Sequence, residues 1–558
     1  MKGIEEILEK AESENRFSLY EHEVYEVLKH LGINIVRYDL ADDKTNFKKV
    51  LKNYGKKVVL KISSPDIAHK TDVGGIKILP NNPKTVKKAY KDMIKTVSEK
   101  KPGAKITGAL LTEYAQISHE VLVSMLYDDQ FGHFITAGLG GTLTELYKDV
   151  SIKLAPVSKK EVQEMLEELK SYPILAGYRG KEGVNIEALT EQIIRLNALA
   201  EKFSPYSNSK YLITELEINP IAGSGDKVVA LDGILNFKRK ERKERTAITV
   251  EGVEKFFKPE NVAVIGATDE KRPNGQDKEG KVIFENMLKS SVKNVYPVNP
   301  KKEEVFGKKC YKSVKDIEQP VDLSVVIVPA KATPQVMEEI KEKNCKNVII
   351  IGGGFSELGK EGKKLEDRLL KILKEGDIRV IGPNCVGTYS EETKLKTIFL
   401  TEDEFNVPEK EPNNLSVVTQ SGAVGVNLMI ALRNVGIRNF ISAGNMIDPK
   451  TDYAALMKYL ENDAATKIIG VYVEGFKEGK RFYKAAKQLA KPVVIIKGGK
   501  SKEGSKASTS HTGSIAGNYE VARAAFKQAG IIEAETSQEF FDIVKMFSYS
   551  HNKKVEGN

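Results

Sequence analysis

Tryptophan is absent from this 558-residue chain, and cysteine occurs only 3 times, at Cys310, Cys345 and Cys385. Cysteines so far apart offer neither zinc-site spacing nor an even-numbered disulfide framework, so a reduced, cytoplasmic setting is expected. No stretch approaches the ~18 consecutive apolar residues of a membrane span. The start, Met1-Lys2-Gly3-Ile4-Glu5-Glu6, is charged and reads as helix, which argues against a signal peptide. There is no short tandem repeat. The dense arginine–aromatic stripe of a nucleic-acid binder is also missing, although the formal charge of +10 suits polyanionic ligands such as nucleotides.

Hydrophobic residues make up 41% of the chain, enough for ordinary cores, and the length predicts three to four domains at ~150 residues each. Two breaks divide it. The unbroken charged run from Lys238 to Arg245 reads as a solvated linker, with a charged helix end as the alternative. Residues 402–414, with Pro408 and Pro412, read as an interdomain loop.

In the middle block, short apolar runs (262–265, 295–298, 323–328, 348–351 and 378–381) alternate with amphipathic Lys/Glu-rich segments. That pattern predicts a parallel sheet with crossover helices, whose ligands bind at the carboxyl ends of the strands. Gly266, Asn299, Pro329, Gly352-Gly353-Gly354 and Asn384 fall at those ends. Turn chemistry explains any one of them; together they point to a nucleotide-like ligand. The first turn lacks a full G-x-G-x-x-G, so a dinucleotide site is not supported.

The third block repeats the logic. Leu415–Thr419 precedes Gln420-Ser421-Gly422, which opens a helix, and Ser421-Gly422 would offer helix N–H groups to a phosphate. The strand 468–473 ends at Glu474-Gly475. A further strand, 492–497, leads through Gly498-Gly499-Lys500-Ser501 to Ser510-His511-Thr512-Gly513-Ser514. A histidine among Ser, Thr and Gly beyond a strand is poorly placed for a core and well placed to meet an anion. Imidazole can also act as a nucleophile. Taken alone, His511 reads first as an ordinary surface-loop residue and only second as a phosphohistidine. Glu474 could hold its second N–H, or be a solvated loop acid.

The N-terminal block reads as helices at about 3–12 and 17–31, then mixed strands and helices to about 237. Its strands carry Lys61, Glu113, Glu215, Glu217 and Asn219, with Asp232 close behind 228–231. A lysine and several oxygen ligands on neighbouring strands suit MgATP: charge for phosphates, oxygens for a hard cation. Outward-facing strand charges are the alternative. The loop 63–75 carries a second histidine, His69, between Pro65 and Gly74-Gly75.

Together the motifs SHTGS, VEG, QSGAVG, HKTDVGG, ELEINP, ALDG and IGPN resemble the NDP-forming acyl-CoA synthetases, which include succinyl-CoA synthetase and the ADP-forming acetyl-CoA synthetases. The resemblance implies an α/β multidomain chain. It would hold an ATP-grasp domain over 1–240, a Rossmann-like CoA-binding domain over 246–392 and a flavodoxin-like ligase domain over 408–550. It further implies His511 as the phosphorylated histidine, Glu474 as the carboxylate orienting it, and His69 as a second, mobile histidine. Asn219 and Asp232 would be magnesium ligands, Lys61 a phosphate contact and Glu113 an adenine-side residue. Gly266, Asn299, Pro329 and Asn384 would lie on CoA loops, and Ser421 and Gly422 in a phosphate cradle. ATP or ADP, magnesium and coenzyme A follow as cofactors, with a carboxylic acid and phosphate as small-molecule partners. Glu217 stands where the family more often has aspartate. No GGPG-like turn follows His511, so a separate subunit is expected to supply a second flavodoxin-like domain that completes the cradle, with a truncated gene product as the alternative. A partner subunit or homo-oligomer is the expected assembly. A non-catalytic CoA or nucleotide sensor of the same fold is the alternative function. A protein-acyltransferase regulator is a third, with no extra domain left to support it.

Overall fold

Ile4, Leu8 and Ala11 recur at helical spacing and form the buried stripe of α1 (Lys2–Ser13). Val24, Tyr25, Val27 and Leu28 do the same for α2 (Glu21–His30). The computed structural model describes residues 1–67, 70–117, 119–141, 149–180, 182–225, 227–244, 246–401, 412–500 and 518–551. The chain forms two units, Met1–Arg245 and Thr246–Asn558.

In the first unit, β1 (Tyr38–Ala41), β2 (Lys57–Ser63), β3 (Ile76–Pro80) and β4 (Gly108–Glu113) make an antiparallel sheet ordered β1-β4-β2-β3. The amphipathic α3 (Pro83–Lys100), capped by Asn82, shares its core through Val86, Tyr90, Met93 and Val97. A second antiparallel sheet contains β5 (His119–Asp128), β6 (Gly132–Leu139), β7 (Val150–Leu154), β8 (Tyr211–Ser224), β9 (Lys227–Ala230) and β10 (Gly233–Arg239). Its order is β10-β8-β5-β6-β7, with β9 on β8. Two expectations change here. Residues 17–20 are not helical but run beside β10, where Leu19 N donates to Leu235 O and Phe237 N to Phe17 O. The charged run begins inside β10, where Lys238 and Arg239 pair with Leu212 and Tyr211.

In the second unit, β11 (Asn261–Ile265) is followed by α4 (Glu279–Leu288), β12 (Asn294–Val298) and a small hairpin of β13 (Glu304–Val305) and β14 (Lys308–Lys309). Next come β15 (Leu323–Val326), β16 (Asn347–Ile350), α5 (Lys360–Gly376) and β17 (Arg379–Ile381). The five long strands are all parallel, in the order β12-β11-β15-β16-β17. The chain then builds a seven-stranded sheet. Its strands are β18 (Thr388–Ser390), β19 (Leu395–Lys396), β20 (Leu415–Thr419), β21 (Ile437–Ser442), β22 (Ile468–Val473), β23 (Val493–Lys497) and β24 (Ile532–Glu533). The order is β19-β18-β21-β20-β22-β23-β24, parallel from β21 onward. Helices α6 (Gly422–Ala431), α7 (Tyr453–Asn462) and α8 (Ser537–Ser550) belong to this sheet's crossovers and end. Among the described residues no helix is long and apolar enough to cross a membrane.

Candidate active site

Parallel neighbours bring their carboxyl ends to one edge, so the residues after β20, β22 and β23 meet there. Ser421 caps α6, its Oγ accepting from Val424 N at 3.4 Å. Gly422 is required by a close approach, since a Cβ there would lie 2.5 Å from Val386 Cγ1. The Gln420 side-chain oxygen accepts from the backbone N–H of Glu474 (2.8 Å) and of Gly475 (3.2 Å). It thereby fixes the turn that presents Glu474, itself buried. Burial, reinforced by the charge of Glu474 and its hydrogen bond, pushes the Tyr472 phenol up to about 12. Tyr453 is driven well above its usual range, by burial first and Glu474 second. His511 lies outside the described residues, as does His69. The segment leading toward His511 is described as far as Lys500.

Next to this edge is a cavity of about 60 Å³ lined by Gln420, Asn445, Asp448, Tyr453, Phe476 and Phe482, among others. Asn445 connects it to the five-stranded sheet. Its N–H donates to Pro383 O (2.9 Å), its side-chain NH₂ to Glu357 Oε2 (2.6 Å), and its Oδ1 accepts from Asn384 Nδ2 (3.4 Å). Asn384 holds a left-handed φ of 59°. The other loop residues of that sheet follow β11, β12 and β15 along the same carboxyl edge. Gly266, at φ 99°, could not carry a side chain, because a Cβ would meet Ile327 O at 2.5 Å. Asn299 Nδ2 donates to Ala267 O at 2.9 Å, and Pro329 O accepts from Ala332 N at 2.8 Å. Gly280, which sequence reasoning missed, lets α4 approach until a Cβ would touch Gly266 O at 2.2 Å.

In the first unit Lys61 is buried, and its ammonium donates to Glu21 Oε1 at 2.8 Å and to Leu231 O. Lys70 reaches Glu21 Oε2 at 2.9 Å and both Asp232 oxygens at 2.8 and 2.9 Å. Asp232 is 3.8 Å from Lys61, and Tyr25 donates to Glu21 at 2.6 Å. Burial alone would raise Glu21, but Lys61 and Lys70 outweigh it and bring the carboxyl down to about 2. Asp232 moves the other way, raised by burial and by the charge of Glu21. Sequence reasoning missed Glu21, Tyr25 and Lys70; the adjacency of Lys70 to His69 was its only signal. Asn219 lies beside Asp232 through the Leu231 N to Pro220 O bond (3.0 Å). Its Oδ1 accepts from Gly141 N at 3.3 Å and its Nδ2 donates to Glu217 at 3.3 Å. Among the described residues no three His, Cys, Asp or Glu side chains form a ready-made metal cluster. The oxygens of Glu217, Asn219 and Asp232 nonetheless fit a hard divalent cation, and Asp232 already faces the cationic Lys70. Glu113 is exposed at the end of β4, opposite Val58, three rungs from Lys61.

Two antiparallel sheets in one unit, then a parallel sheet and a seven-stranded sheet whose strand ends gather Ser421, Glu474 and the root of the segment toward His511, make an α/β multidomain chain. The profile of an ATP-grasp domain matches residues 10–236, that of a CoA binding domain 260–391, and that of a succinyl-CoA ligase like flavodoxin domain 412–547. The ADP-forming acetate–CoA ligase II of Archaeoglobus fulgidus is 32% identical over 535 residues, covering 95% of this chain and 75% of that protein. The alpha subunit of ligase II from Pyrococcus furiosus is 41% identical over 297 residues, 52% of this chain and 62% of that subunit. The beta subunit of ligase I from the same organism is 39% identical over 227 residues, 41% of this chain and 94% of that subunit. A solved structure of the dinucleotide forming acetyl-coenzyme A synthetase 1 from Ca. Korarchaeum cryptofilum, in complex with phosphate and ADP, matches with TM-score 0.48. It is 33% identical and covers 53% of this chain and 62% of that one. The chain belongs to the ADP-forming acetate–CoA ligase family, a family of acid–thiol ligases.

Proposed function

We propose that this chain interconverts acyl-CoA, phosphate and ADP with a carboxylic acid, CoA and ATP through phosphohistidine intermediates. In the acid-activating direction a histidine nitrogen attacks the γ-phosphorus of ATP and ADP leaves. The phosphoryl group passes from His511 to an acid carboxylate oxygen, and the CoA sulfur then attacks the acyl phosphate carbonyl, expelling phosphate. Splitting the transfer into covalent steps serves sites too far apart for direct reaction. His69 carries the phosphoryl group between the nucleotide and His511. Glu474 holds the imidazole tautomer that leaves the other nitrogen free to attack. The N-terminus of α6 at Ser421 and Gly422 receives the phosphate.

Lys61 contacts a nucleotide phosphate, exchanging it for Glu21, and Glu113 lies on the adenine side. Asn219 and Asp232 would hold magnesium, which when bound neutralises charge on the transferring phosphates. Gly266, Asn299, Pro329 and Asn384 line the CoA loops. A partner subunit or a homo-oligomer completes the assembly. The setting is cytoplasmic.

The observation that best supports this reading is Gln420, which ties the turn of Glu474 to the start of α6 at the edge from which the segment toward His511 departs. The test is mass-spectrometric mapping of acid-labile phosphate after incubating the chain with MgATP. Phosphate is expected on both His69 and His511, and none on His511 in a His69→Ala variant. Undiminished labelling of His511 in that variant removes the relay. An unlabelled parent chain that no partner fraction rescues removes the ligase chemistry.

A further inference from the structure

Lys497 ends β23 almost fully buried, at 5% exposure, where an unpaired ammonium would be costly. Its Nζ donates to Glu474 O and to Gly498 O, both at 2.5 Å. One of these carbonyls belongs to the turn after β22, the other to the first residue of the segment toward His511. The space is tight: a Cβ on Gly498 would lie 2.8 Å from Tyr472 Oη and 3.4 Å from Glu474 Cγ.

We infer that Lys497 is a positioning residue, a cationic clamp that fixes the Glu474 turn against the root of the histidine segment. An ammonium shared by two carbonyls sets their separation, and with it where the segment leaves the sheet relative to the Glu474 turn. Charge matters as much as shape, because an ionised donor makes roughly twice as strong a hydrogen bond as a neutral one. Glu474 and Glu533 face the ammonium with negative charge. Lys500 adds positive charge, and is itself paired with Glu533 and Glu535. The Tyr472 phenol stays neutral, held up to about 12. Burial, opposed by the two glutamates and aided by Lys500, pulls Lys497 down to about 8. The clamp is therefore charged below that pH and weakens as pH rises through it.

The inference rests on the proposed roles of Glu474 and His511, so its test carries one readout that needs neither. Hydrogen–deuterium exchange at Glu474, Gly475, Gly498 and Gly499 is compared in the parent chain, K497M and K497R, alongside the pH profile of His511 phosphorylation. Faster exchange in K497M but not K497R is expected. Phosphorylation should fall about 100-fold in K497M, the cost of ~1 Å misplacement. The parent should lose rate as pH rises through about 8, and K497R, charged throughout, should not. Unchanged exchange in K497M overturns the clamp whatever the activity, and so does an alkaline fall that persists in K497R. Faster exchange in K497M beside a parent that takes no phosphate leaves the clamp standing and removes the proposed chemistry instead.

Discussion

Removing the Glu21 carboxylate would leave Lys61 and Lys70 facing Asp232 alone in a buried site. Breaking a buried pair from one side costs about 3–5 kcal/mol, because the surviving charge keeps its desolvation penalty. Glu21→Gln should lower the unfolding free energy read from urea denaturation at neutral pH by that amount. Glu21 ionises near 2 in the fold against an ordinary 4.5, so the unfolded chain binds the extra proton between those values. Its stabilisation, about 3 kcal/mol from the shift, is fully present above pH 4.5 and lost as pH falls toward 2. The gap between parent and variant should close over that window. A gap that stays constant with pH would mean that Glu21 acts by packing. Both lysines must also trade these carboxylates for phosphates if they are to meet a nucleotide, so E21Q should tighten ADP binding wherever it remains folded. Isothermal titration checks that directly.

At the level of elements, α6 is the part whose chemistry was most visible in the sequence. Ser421 and Gly422 read directly as a helix start, and Leu415–Thr419 and Ile468–Val473 read as strands to the residue. Those strands are near-continuous apolar runs, as burial on both faces requires. By contrast β21 escaped notice, because Arg438 and Asn439 interrupt its pattern. The structure satisfies both through Asp463, at 3.1 and 3.2 Å, a partner more than twenty residues away. Lys497 was hidden likewise: a lysine at a strand end looks like the solvent end of the strand until the Glu474 carbonyl is placed against it. Patterns along the chain show faces; they do not show which distant group meets a charge. The reason for Gly422 was equally invisible, since it lies in Val386. Gly422→Ala should cost about 1–3 kcal/mol through overpacking, and adding Val386→Ala should restore most of the loss. Ser421→Ala should cost about 1 kcal/mol through the lost cap and leave Val386 irrelevant. Urea denaturation of the four variants distinguishes steric from capping effects; failure of V386A to rescue G422A would reject the steric account.

For the whole molecule, the division at residue 245 carries the strongest expectation. Met1–Arg245 has two antiparallel sheets with cores of their own, and Thr246–Asn558 has two large sheets with separate cores. Each unit thus has apolar cores of its own, which is the physical condition for independent folding. Cut after Arg245 and expressed as two polypeptides, the halves should each give a cooperative thermal transition and a dispersed amide spectrum. The first half should bind ADP through the Lys61 and Asp232 region, with Lys61→Met abolishing binding. The second should bind CoA, weakened by Asn384→Ala. Mixing the halves should restore phosphate transfer from MgATP to His511 at a rate that rises with concentration, because a relay between polypeptides is bimolecular where the intact chain is not. Saturation of that rate would then measure how much the covalent link contributes as effective concentration, commonly around millimolar for a short flexible linker. Halves that fold but never exchange phosphate at any concentration would show that the link does more than tether. Residues 238–245 would then have to hold the two units in one productive arrangement.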